Sequence, residues 1–422
     1  MALVRRRRFI LVFLRLCYGR RAGCTQSIDE RHAEGRLSVR EGTIMRSLAR
    51  RGLSAATLAA VAASVLLLPA TSGVAAIPSV WKATVPPLIQ DSRLTDVVAT
   101  GPNDAWSVGY QASTYTGYSI DEPYALLRWN GRTWTEQRLP HEAFLLYRAA
   151  AVSEGDVWTV GLGVHGEPYA GHFNGQTWTG HTPLGASTGP STLLDVAATG
   201  GGRAVFVGHD GSGPLVLEGD TRQFNRVAVP GTEQHNGVLR AVSSTQDGSL
   251  FAAGDRYLAD APYPQPMIVQ RIGGAWQVAA LPSTPSTQLT GVWARSSTDA
   301  WAVGTQDYDT APKPVILHWD GRTWQRLAGP APAGRAYAVA GDANGNVWIS
   351  GTNPIPPYIE YPGTLLLRYT GGRWTVEYGP KVGGGDPHLD ALANVPGSSS
   401  FWGSGAASRN GLGIAGVIER TR

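Results

Sequence analysis

Cysteine is nearly absent from this chain of 422 residues, because its two cysteines are Cys17 and Cys24. The sequence from residue 77 onward contains none, so disulfide bonds cannot stabilise it. The eight histidines that follow residue 76 show no metal-ligand spacing. These two shortages argue against a disulfide scaffold and against a metal enzyme built on grouped histidine ligands.

Long apolar runs are confined to the first 76 residues. Residues 9–14 are apolar but too few to span a bilayer. We interpret residues 1–44 as a disordered leader that results from a start codon assigned too far upstream. From residue 45 onward a basic segment, the uncharged run 53–68 and the small residues 73–76 follow one another. This order is typical of a cleaved export signal.

The export signal predicted over residues 45–76 places the rest of the chain outside the cytoplasm, either secreted or associated with the cell envelope. Arg50 and Arg51 leave a twin-arginine route open. An uncleaved membrane anchor is the alternative, and Pro69 with the small residues after it argues against that alternative. We therefore expect no membrane span after cleavage.

Basic charge is also concentrated at the start of the chain. Residues 1–76 contain 13 arginines and 4 acidic residues, out of 36 basic and 32 acidic residues in total. The remainder has 23 basic and 28 acidic residues, so its net charge is −5, whereas the whole chain has +4. The basic character of the whole sequence thus gives no indication of nucleic-acid binding.

A repeat fills the chain after the leader, and its clearest copy is Leu289–Leu327. Its β-forming residues and turn signals predict four short strands, named A to D. These predicted strands are Leu289–Ala294, Ala300–Val303, Val315–Trp319 and Thr323–Leu327. Gly304 is expected to end strand B, and Asp320 with Gly321 predicts a type I′ hairpin turn between strands C and D.

The repeat recurs seven times, at residues 94–139, 146–184, 193–229, 238–281, 289–327, 336–378 and 388–422. The third copy is degenerate, with its hairpin expected at Glu218–Asp220, and the seventh ends without strand D. Trp81 lies in a solitary segment that resembles strand D and is expected to complete the seventh copy. A period of about 49 residues predicts an all-β fold, a seven-bladed β-propeller of four-stranded antiparallel blades. It would occupy residues 77–422 as one domain, closed by its N-terminal strand.

Most of the 14 tryptophans occupy two repeat positions. Those on strand B are Trp106, Trp158, Trp301, Trp348 and Trp402, and those on strand D are Trp81, Trp134, Trp178, Trp276, Trp324 and Trp374. We interpret them as packing between neighbouring sheets, with aromatic platforms for sugars as the alternative. Asp104, Asp156 and Asp299 are predicted to cap the A–B turns, and His172 and His318 to be solvated.

The pattern D-[AV]-W-x-V-G followed by [HR]-[WF]-[ND]-G-x-T-W resembles the tryptophan-rich propeller repeats of exported bacterial proteins. It is also distantly similar to kelch and Asp-box repeats, although each copy has one glycine after strand B where kelch repeats have two. The resemblance covers Ser79–Arg422. It implies a galactose-oxidase-like fold whose B–C and D–A loops face a ligand, and it implies no particular activity.

The B–C loops differ between copies and are rich in tyrosine and acidic residues, which is typical of a variable binding face. The candidate binding residues in these loops are Tyr118, Tyr169, Asp255, Tyr257, Asp307, Tyr308 and Tyr358. A second candidate set lies near the starts of the A strands, which line the channel: Asp96, Arg148, Asp195, Arg240 and Asp390. These charges could bind a polar ligand at the channel mouth, or they could pair with one another.

Catalytic functions find little support in the sequence. A copper radical oxidase similar to galactose oxidase needs a cysteine cross-linked to a tyrosine, and the sequence after the leader has no cysteine. A sialidase-like hydrolase would use a tyrosine nucleophile with an arginine cluster, and its Arg-Ile-Pro motif is missing. We expect no cofactor, with weak calcium binding by Asp307 and Asp309 as the one possibility.

These observations predict an exported, monomeric, non-enzymatic propeller that binds an extracellular glycan or a protein partner through its B–C loop face. The alternative is a carbohydrate-active hydrolase or lyase that uses a channel carboxylate such as Asp96, Asp195 or Asp390. Such an acid–base pair should contain at least one carboxyl group with a raised pKa.

Overall fold

In the computed structural model, the described residues are 80–114, 117–118, 120–121, 123–140, 143–183, 191–232, 236–259, 261–330, 334–352, 363–382, 387–408 and 413–421. They all belong to one compact unit, Ala76–Arg422. The leader at residues 1–44, the export signal at residues 45–76 and the candidate residue Tyr358 lie outside the described residues, so these three expectations stay predictions.

The described residues form 30 β-strands and no helix. The chain begins with β1 (Trp81–Thr84). Blade 1 comprises β2 (Arg93–Gly101), β3 (Asp104–Tyr110), β6 (Tyr124–Trp129) and β7 (Trp134–Glu136), and its B–C loop carries the hairpin β4 (Ser113–Thr114) and β5 (Gly117–Tyr118). Blade 2 comprises β8 (Ala143–Ser153), β9 (Asp156–Gly163), β10 (Pro168–Phe173) and β11 (Trp178–His181). Blade 3 comprises β12 (Ser191–Ala198), β13 (Arg203–Asp210), β14 (Gly213–Asp220) and β15 (Phe224–Arg226).

The remaining blades repeat this order. Blade 4 comprises β16 (Asn236–Ser244), β17 (Leu250–Tyr257), β18 (Gln265–Arg271) and β19 (Gln277–Val278). Blade 5 comprises β20 (Thr287–Ser296), β21 (Asp299–Gln306), β22 (Lys313–Trp319) and β23 (Trp324–Arg326). Blade 6 comprises β24 (Ala336–Gly341), β25 (Val347–Gly351), β26 (Leu365–Thr370) and β27 (Arg373–Tyr378). Blade 7 comprises β28 (His388–Asn394), β29 (Phe401–Ser408), β30 (Ile414–Thr421) and β1.

The ring is closed by the first and last strands, as the sequence predicts. Strand β1 pairs antiparallel with β30, so that Trp81 faces Thr421 and Thr84 faces Ile418. Each innermost strand contacts the innermost strand of the next blade, and β28 of blade 7 contacts β2 of blade 1. The seven-bladed propeller and its closure are thereby confirmed. Closure pairs β1 with the outer edge of β30, which would otherwise be unpaired.

Aromatic pairs join the blades. The strand-B aromatic of one blade packs edge-to-face against the strand-D aromatic of the next, as for Trp106 with Trp178, whose ring centroids are 5.2 Å apart at 84°. Trp348 meets Trp81 in the same way at 5.2 Å and 88° across the closing interface. The same pairing recurs in Trp158–Phe224, Phe251–Trp324, Trp301–Trp374 and Trp402–Trp134. This geometry contributes about 0.5–1.5 kcal/mol per pair beyond area burial. The tryptophans therefore pack between sheets, as interpreted from the sequence.

A β-bulge near the start of every innermost strand explains the glycine of the repeat. The bulged residues are Thr95, Tyr147, Leu194, Arg240, Thr290, Tyr337 and Asp390. Opposite each bulge lies the strand-B glycine, and a Cβ atom added to Gly304 would collide with the main-chain oxygen of Gln288. The prediction that Gly304 ends strand B is wrong, because β21 continues to Gln306. The glycine instead allows two main chains to approach closely.

Gly304→Ala is expected to lower the free energy of unfolding by about 1–3 kcal/mol, because the added methyl group forces two paired strands apart. Urea denaturation measures the change. Gly274→Ala is the matched control, since nothing lies within 4 Å of a Cβ atom at Gly274. Equal stability losses in the two variants would contradict the role assigned to the bulge.

The C–D turns differ from the predicted type I′ hairpin. Trp319 pairs with Trp324, which leaves a four-residue loop. Asp320 Oδ1 accepts hydrogen bonds from the main-chain N–H groups of Arg322 and Thr323, both at 2.8 Å. Gly321 has positive φ, whereas Asp320 does not. The aspartate side chain therefore holds the turn as an Asx turn.

The hairpin of blade 3 also lies elsewhere than the sequence suggests. Strand β14 continues through Glu218 to Asp220, and Asp220 Oδ1 accepts hydrogen bonds from the main-chain N–H groups of Arg222 and Gln223. The turn therefore begins at Asp220, and the predicted turn at Glu218–Asp220 is wrong.

The aspartates at the start of strand B bind strand C, and two of them also bind strand A across their own A–B turn. Thr100 Oγ1 donates to Asp104 Oδ2 at 2.6 Å, and Arg295 Nη2 lies 2.7 Å from Asp299 Oδ2. The prediction that they cap the turn through main-chain N–H groups is replaced by these side-chain contacts. Arg128 Nε donates to Asp104 Oδ1 at 2.7 Å, and His172 Nε2 lies 3.0 Å from Asp156 Oδ1. His172 is buried and its ring lies 4.5 Å from that of Trp158, so the prediction that it is solvated is wrong. Across the described parts of the chain, we find no helical segment with the length and hydropathy that crossing a bilayer requires.

Candidate functional site

The two ends of the blades carry different connections between strands. In a four-stranded antiparallel blade the A–B and C–D turns lie at one end, and the B–C and D–A loops lie at the other. We call the second end the upper face. The innermost strands start there, so their first residues surround the mouth of the central channel. Side chains from five successive blades meet at this mouth.

The first part of this cluster lies in blades 5 to 7. The Arg335 guanidinium lies 3.9 Å from the ring centroid of Tyr308, and its Nη2 donates to the main-chain oxygen of Tyr308 at 3.3 Å. Arg335 Nε is buried without a hydrogen-bond partner among the described residues. The ring of Tyr337 lies 5.5 Å from that of His388. His388 Nε2 in turn lies 3.7 Å from Asp390 Oδ1.

The second part continues through blade 1 into blade 2. Arg93 joins blade 1 to blade 7 through two hydrogen bonds to Asp390, of 2.7 Å from Nε and 2.5 Å from Nη2. Beyond it, the ring of Tyr118 packs edge-to-face against Tyr110 at 6.0 Å and against Phe144 at 5.4 Å. Tyr147 adjoins Tyr118 and influences its ionisation. We call the whole set the tyrosine–arginine arc: Tyr308, Arg335, Tyr337, His388, Asp390, Arg93, Tyr110, Tyr118, Phe144 and Tyr147.

Within the arc, three tyrosine side chains have raised pKa values, and the guanidinium of Arg93 stays charged. Burial, together with the neighbouring Tyr110 and Tyr147, raises the pKa of Tyr118 to about 12. Burial also raises the pKa of Tyr147 and of Tyr337. Burial disfavours the charged form of Arg93, but its hydrogen bonds to Asp390 outweigh this and raise its pKa. At neutral pH Tyr118, Tyr147 and Tyr337 therefore remain hydrogen-bond donors.

Backbone strain is also found on the upper face. The non-glycine residues with positive φ in the described part of the chain are Asp91, Ala112, Ser286 and Asp307. They occupy equivalent places in blades 1 and 5, where the B–C loop bonds the D–A loop: Ala112 N–H donates to the Gln90 oxygen, and Asp307 N–H to the Ser286 oxygen. Such conformations cost about 1–3 kcal/mol each and often accompany functional sites. The strain therefore agrees with a functional role for this face.

Among the candidate channel residues, the structure brings Asp96, Arg148 and Asp195 together from three adjacent blades. Asp96 accepts main-chain hydrogen bonds from Val97 at 2.9 Å and from Ala149 of the next blade at 2.8 Å. Asp195 does the same with Val196 and with Val242 of the next blade. Arg148 donates to the main-chain oxygen of Thr95. Both carboxylates thus tie neighbouring innermost strands together.

Burial gives these two carboxyl groups unusual acidities. It raises the pKa of Asp96 to about 6 and that of Asp195 to about 7, although the charge of Arg148 opposes both shifts. A raised pKa is what an acid–base pair would need, but here each carboxylate oxygen already accepts a main-chain N–H group.

The other two channel candidates belong to separate ion pairs. Arg240 Nε donates to Asp255 Oδ1 at 2.9 Å within blade 4, and Asp390 binds Arg93 in the arc. Asp255 is fully buried, and its Oδ2 has no hydrogen-bond partner among the described residues. Burial raises its pKa despite the Arg240 charge. The five candidate residues therefore do not form one channel-mouth cluster.

The loop candidates divide in a similar way. Tyr118 and Tyr308 belong to the arc, whereas Tyr169 is 1% exposed and packs in the core between blades 1 and 2. Tyr257 is exposed and lies outside the arc. No three His, Cys, Asp or Glu side chains are grouped as a metal site would require in the part of the chain that the structure describes. Calcium binding near Asp307 stays a prediction.

Comparison with known proteins supports the fold. No protein-family model matches the sequence, and no curated protein sequence matches it. Among solved structures, the chain is similar to YCF48 bound to a D1 peptide, with 16% identity and a TM-score of 0.52 over 82% of this chain and 98% of that one. YCF48 from Cyanidioschyzon merolae gives 15% and 0.51 over 81% and 98%.

The WD40 propeller domain of Doa1 is similar as well, with 10% identity and a TM-score of 0.51 over 80% of this chain and 96% of that domain. At these identities the likeness shows a β-propeller and nothing finer. The resemblance to kelch and Asp-box repeats stays a prediction. The chain is a repeat protein that shares the propeller fold with WD40 domains and YCF48.

Proposed function

We propose that this protein is an exported, non-enzymatic propeller whose tyrosine–arginine arc binds a protein partner. The observation that carries this proposal is the row of neighbouring side chains from Tyr308 in blade 5 to Tyr118 and Phe144 at the border of blades 1 and 2, in which Arg93 and Tyr110 are linked as a cross-strand pair. Export is supported by the signal pattern at residues 45–76.

The chemistry of the arc favours a protein over a glycan. Tyrosine and arginine are enriched among the residues that dominate protein–protein binding energies. A sugar platform needs an open ring face, whereas the ring of Tyr118 packs edge-to-face against Tyr110 and Phe144. The similar protein YCF48 has been solved with a D1 peptide, which supports a peptide-binding use of such a propeller. A protein segment is therefore the ligand we propose.

The arrangement of the carboxylates argues against a hydrolase. A catalytic acid or base must reach a proton on the substrate. Both oxygens of Asp96 and of Asp195 are engaged by main-chain N–H groups, and Asp390 is engaged by Arg93. A structural role for these residues is therefore the simpler interpretation.

Peptides selected on the immobilised wild-type protein from a displayed random library provide the probe. Arg335→Ala is expected to weaken the best synthetic peptide at least tenfold, about 1.4 kcal/mol, as measured by isothermal titration calorimetry. We expect this loss of affinity because the Arg335 guanidinium lies over the ring of Tyr308, and its Nε has no hydrogen-bond partner among the described residues.

Tyr263→Ala is the matched control, because Tyr263 is an exposed tyrosine outside the arc. We expect this variant to bind the same peptide as the wild type does. The proposal fails if selected peptides bind the wild type and Arg335→Ala equally, or if they lose affinity only when Tyr263 is replaced.

A further inference from the structure

Among the described residues, six of the seven blade interfaces contain the edge-to-face aromatic pair, and the interface between blades 3 and 4 does not. Val205 occupies the strand-B position there, where the other blades have tryptophan or phenylalanine. The strand-D partner is still present, because Trp276 is buried and packs in the same cluster as Val205. One aromatic ring of the pair is therefore missing from this interface.

An open groove of 450 Å³ lies at this interface, on the face opposite the upper face. Its walls include Val205, Glu218, Asn225 and Arg271. Val205, Glu218 and Asn225 lie directly opposite one another on adjacent strands, so they share the sheet face that looks toward blade 4. Grooves of this volume accommodate small organic ligands.

The strand-C residue beside the groove also differs in charge. In five blades an arginine or histidine covers the strand-B tryptophan, for example Arg128 over Trp106 at 4.8 Å and His172 beside Trp158 at 4.5 Å. Blade 3 has Glu218 at this position, and its Oε1 accepts hydrogen bonds from Trp276 Nε1 at 3.0 Å and Arg271 Nη1 at 2.5 Å. A carboxylate beside an aromatic slot favours a ring that carries an N–H donor.

We propose that this groove is a second binding site, which takes a planar aromatic ring with an N–H donor, of the indole type. The ring would lie against Val205, where the other interfaces have a strand-B aromatic ring, with its N–H toward Glu218. The site is independent of the tyrosine–arginine arc and lies on the other face of the propeller.

Titration of the wild-type protein with 5-fluoroindole, followed by ¹⁹F NMR, tests the proposal. We expect saturable binding to the wild type. Val205→Trp restores the missing ring and should weaken binding at least tenfold. Asn225→Trp fills the groove from an exposed wall position and should weaken it similarly, which keeps the test valid if Val205→Trp does not fold.

Gln325→Trp is the matched control, since Gln325 faces His318 in blade 5 as Asn225 faces Glu218 in blade 3, and Trp301 already fills that slot. We expect unchanged 5-fluoroindole affinity in this variant. Absence of saturable binding to the wild type, or full binding in both groove-filling variants, would overturn the proposal.

N-acetyltryptophanamide distinguishes the two sources of such a ring. If N-acetyltryptophanamide binds as tightly as 5-fluoroindole, the flanking amides are tolerated, and the ring belongs to a tryptophan side chain of a partner. Binding of 5-fluoroindole alone identifies a free aromatic compound. Both results support the aromatic site.

Discussion

Trp81→Ala is expected to lower the free energy of unfolding by about 3–5 kcal/mol, the range for replacing a buried tryptophan by alanine. Trp81 is 2% exposed and meets Trp348 edge-to-face at 5.2 Å. It is the strand-D aromatic of blade 7, the blade that the first strand completes, so the substitution leaves a cavity where β1 packs against blade 6. Urea denaturation followed by tryptophan fluorescence measures the loss.

Lys82→Ala is the control on the same strand. Lys82 is exposed and pairs through its main chain with Arg420, so its side chain contributes little to closure. We expect a change within about 0.5 kcal/mol, as is usual for surface substitutions. A comparable loss in the two variants would mean that strand pairing alone, and not the aromatic contact, closes the ring.

The wild type is expected to lose stability as the pH rises. Glu419→Gln is expected to remove a large part of this loss. Glu419 is fully buried in β30, and Thr364 Oγ1 donates to its oxygens at 2.9 and 3.1 Å. Burial raises its pKa from 4.5 to about 8, although the Thr364 hydrogen bond opposes the shift. Its carboxyl group is therefore neutral in the fold at physiological pH.

The sign of the effect follows from this raised pKa. Below pH 4.5 the carboxyl group is protonated in both the folded and the unfolded chain, so the stability is fully present. Between pH 4.5 and 8 only the unfolded chain ionises, and the wild type loses stability on the order of 3–5 kcal/mol. Asp96 and Asp195, with pKa values raised to about 6 and about 7, act in the same direction.

Thermal denaturation of the wild type and Glu419→Gln at pH 4.5, 6 and 8 measures this difference. The variant should equal the wild type at pH 4.5 and exceed it increasingly toward pH 8. Glu154→Gln, at an exposed turn of blade 2, should follow the wild-type curve. A constant offset between the wild type and Glu419→Gln at all three pH values would show that the buried carboxyl group does not titrate in this range.

Closure and blade number were predictable because they depend on local patterns. Trp81 stands in the same context as the other strand-D tryptophans, and the seventh copy lacks its fourth strand. Pairing β1 with β30 then follows without any knowledge of distant contacts. The recurring strand-B glycine can also be recognised in the sequence. The close approach of two main chains that requires a glycine there cannot. The β-bulge that it faces is a feature of the pairing between two strands, and a single copy of the repeat does not show it.

The candidate site was only partly predictable, since it is assembled across blades. Tyr118 and Tyr308 were found because they lie in variable loops. Arg335 and Tyr337 were missed because they lie at the start of β24, Arg335 just before it and Tyr337 within it, and nothing in one copy of the repeat shows which neighbouring blade they contact. Asp255 was misplaced because β17 extends past it to Tyr257, which puts its side chain inside blade 4.

The pairing of β1 with β30 also sets the order of events in biosynthesis. Trp81 and its partner Thr421 are separated by about 340 positions, so the final sheet cannot exist until the ribosome has delivered almost the whole polypeptide. Until then blade 7 lacks one of its four strands. The pairing that completes blade 7 is therefore a long-range contact, which forms slowly because of its topology.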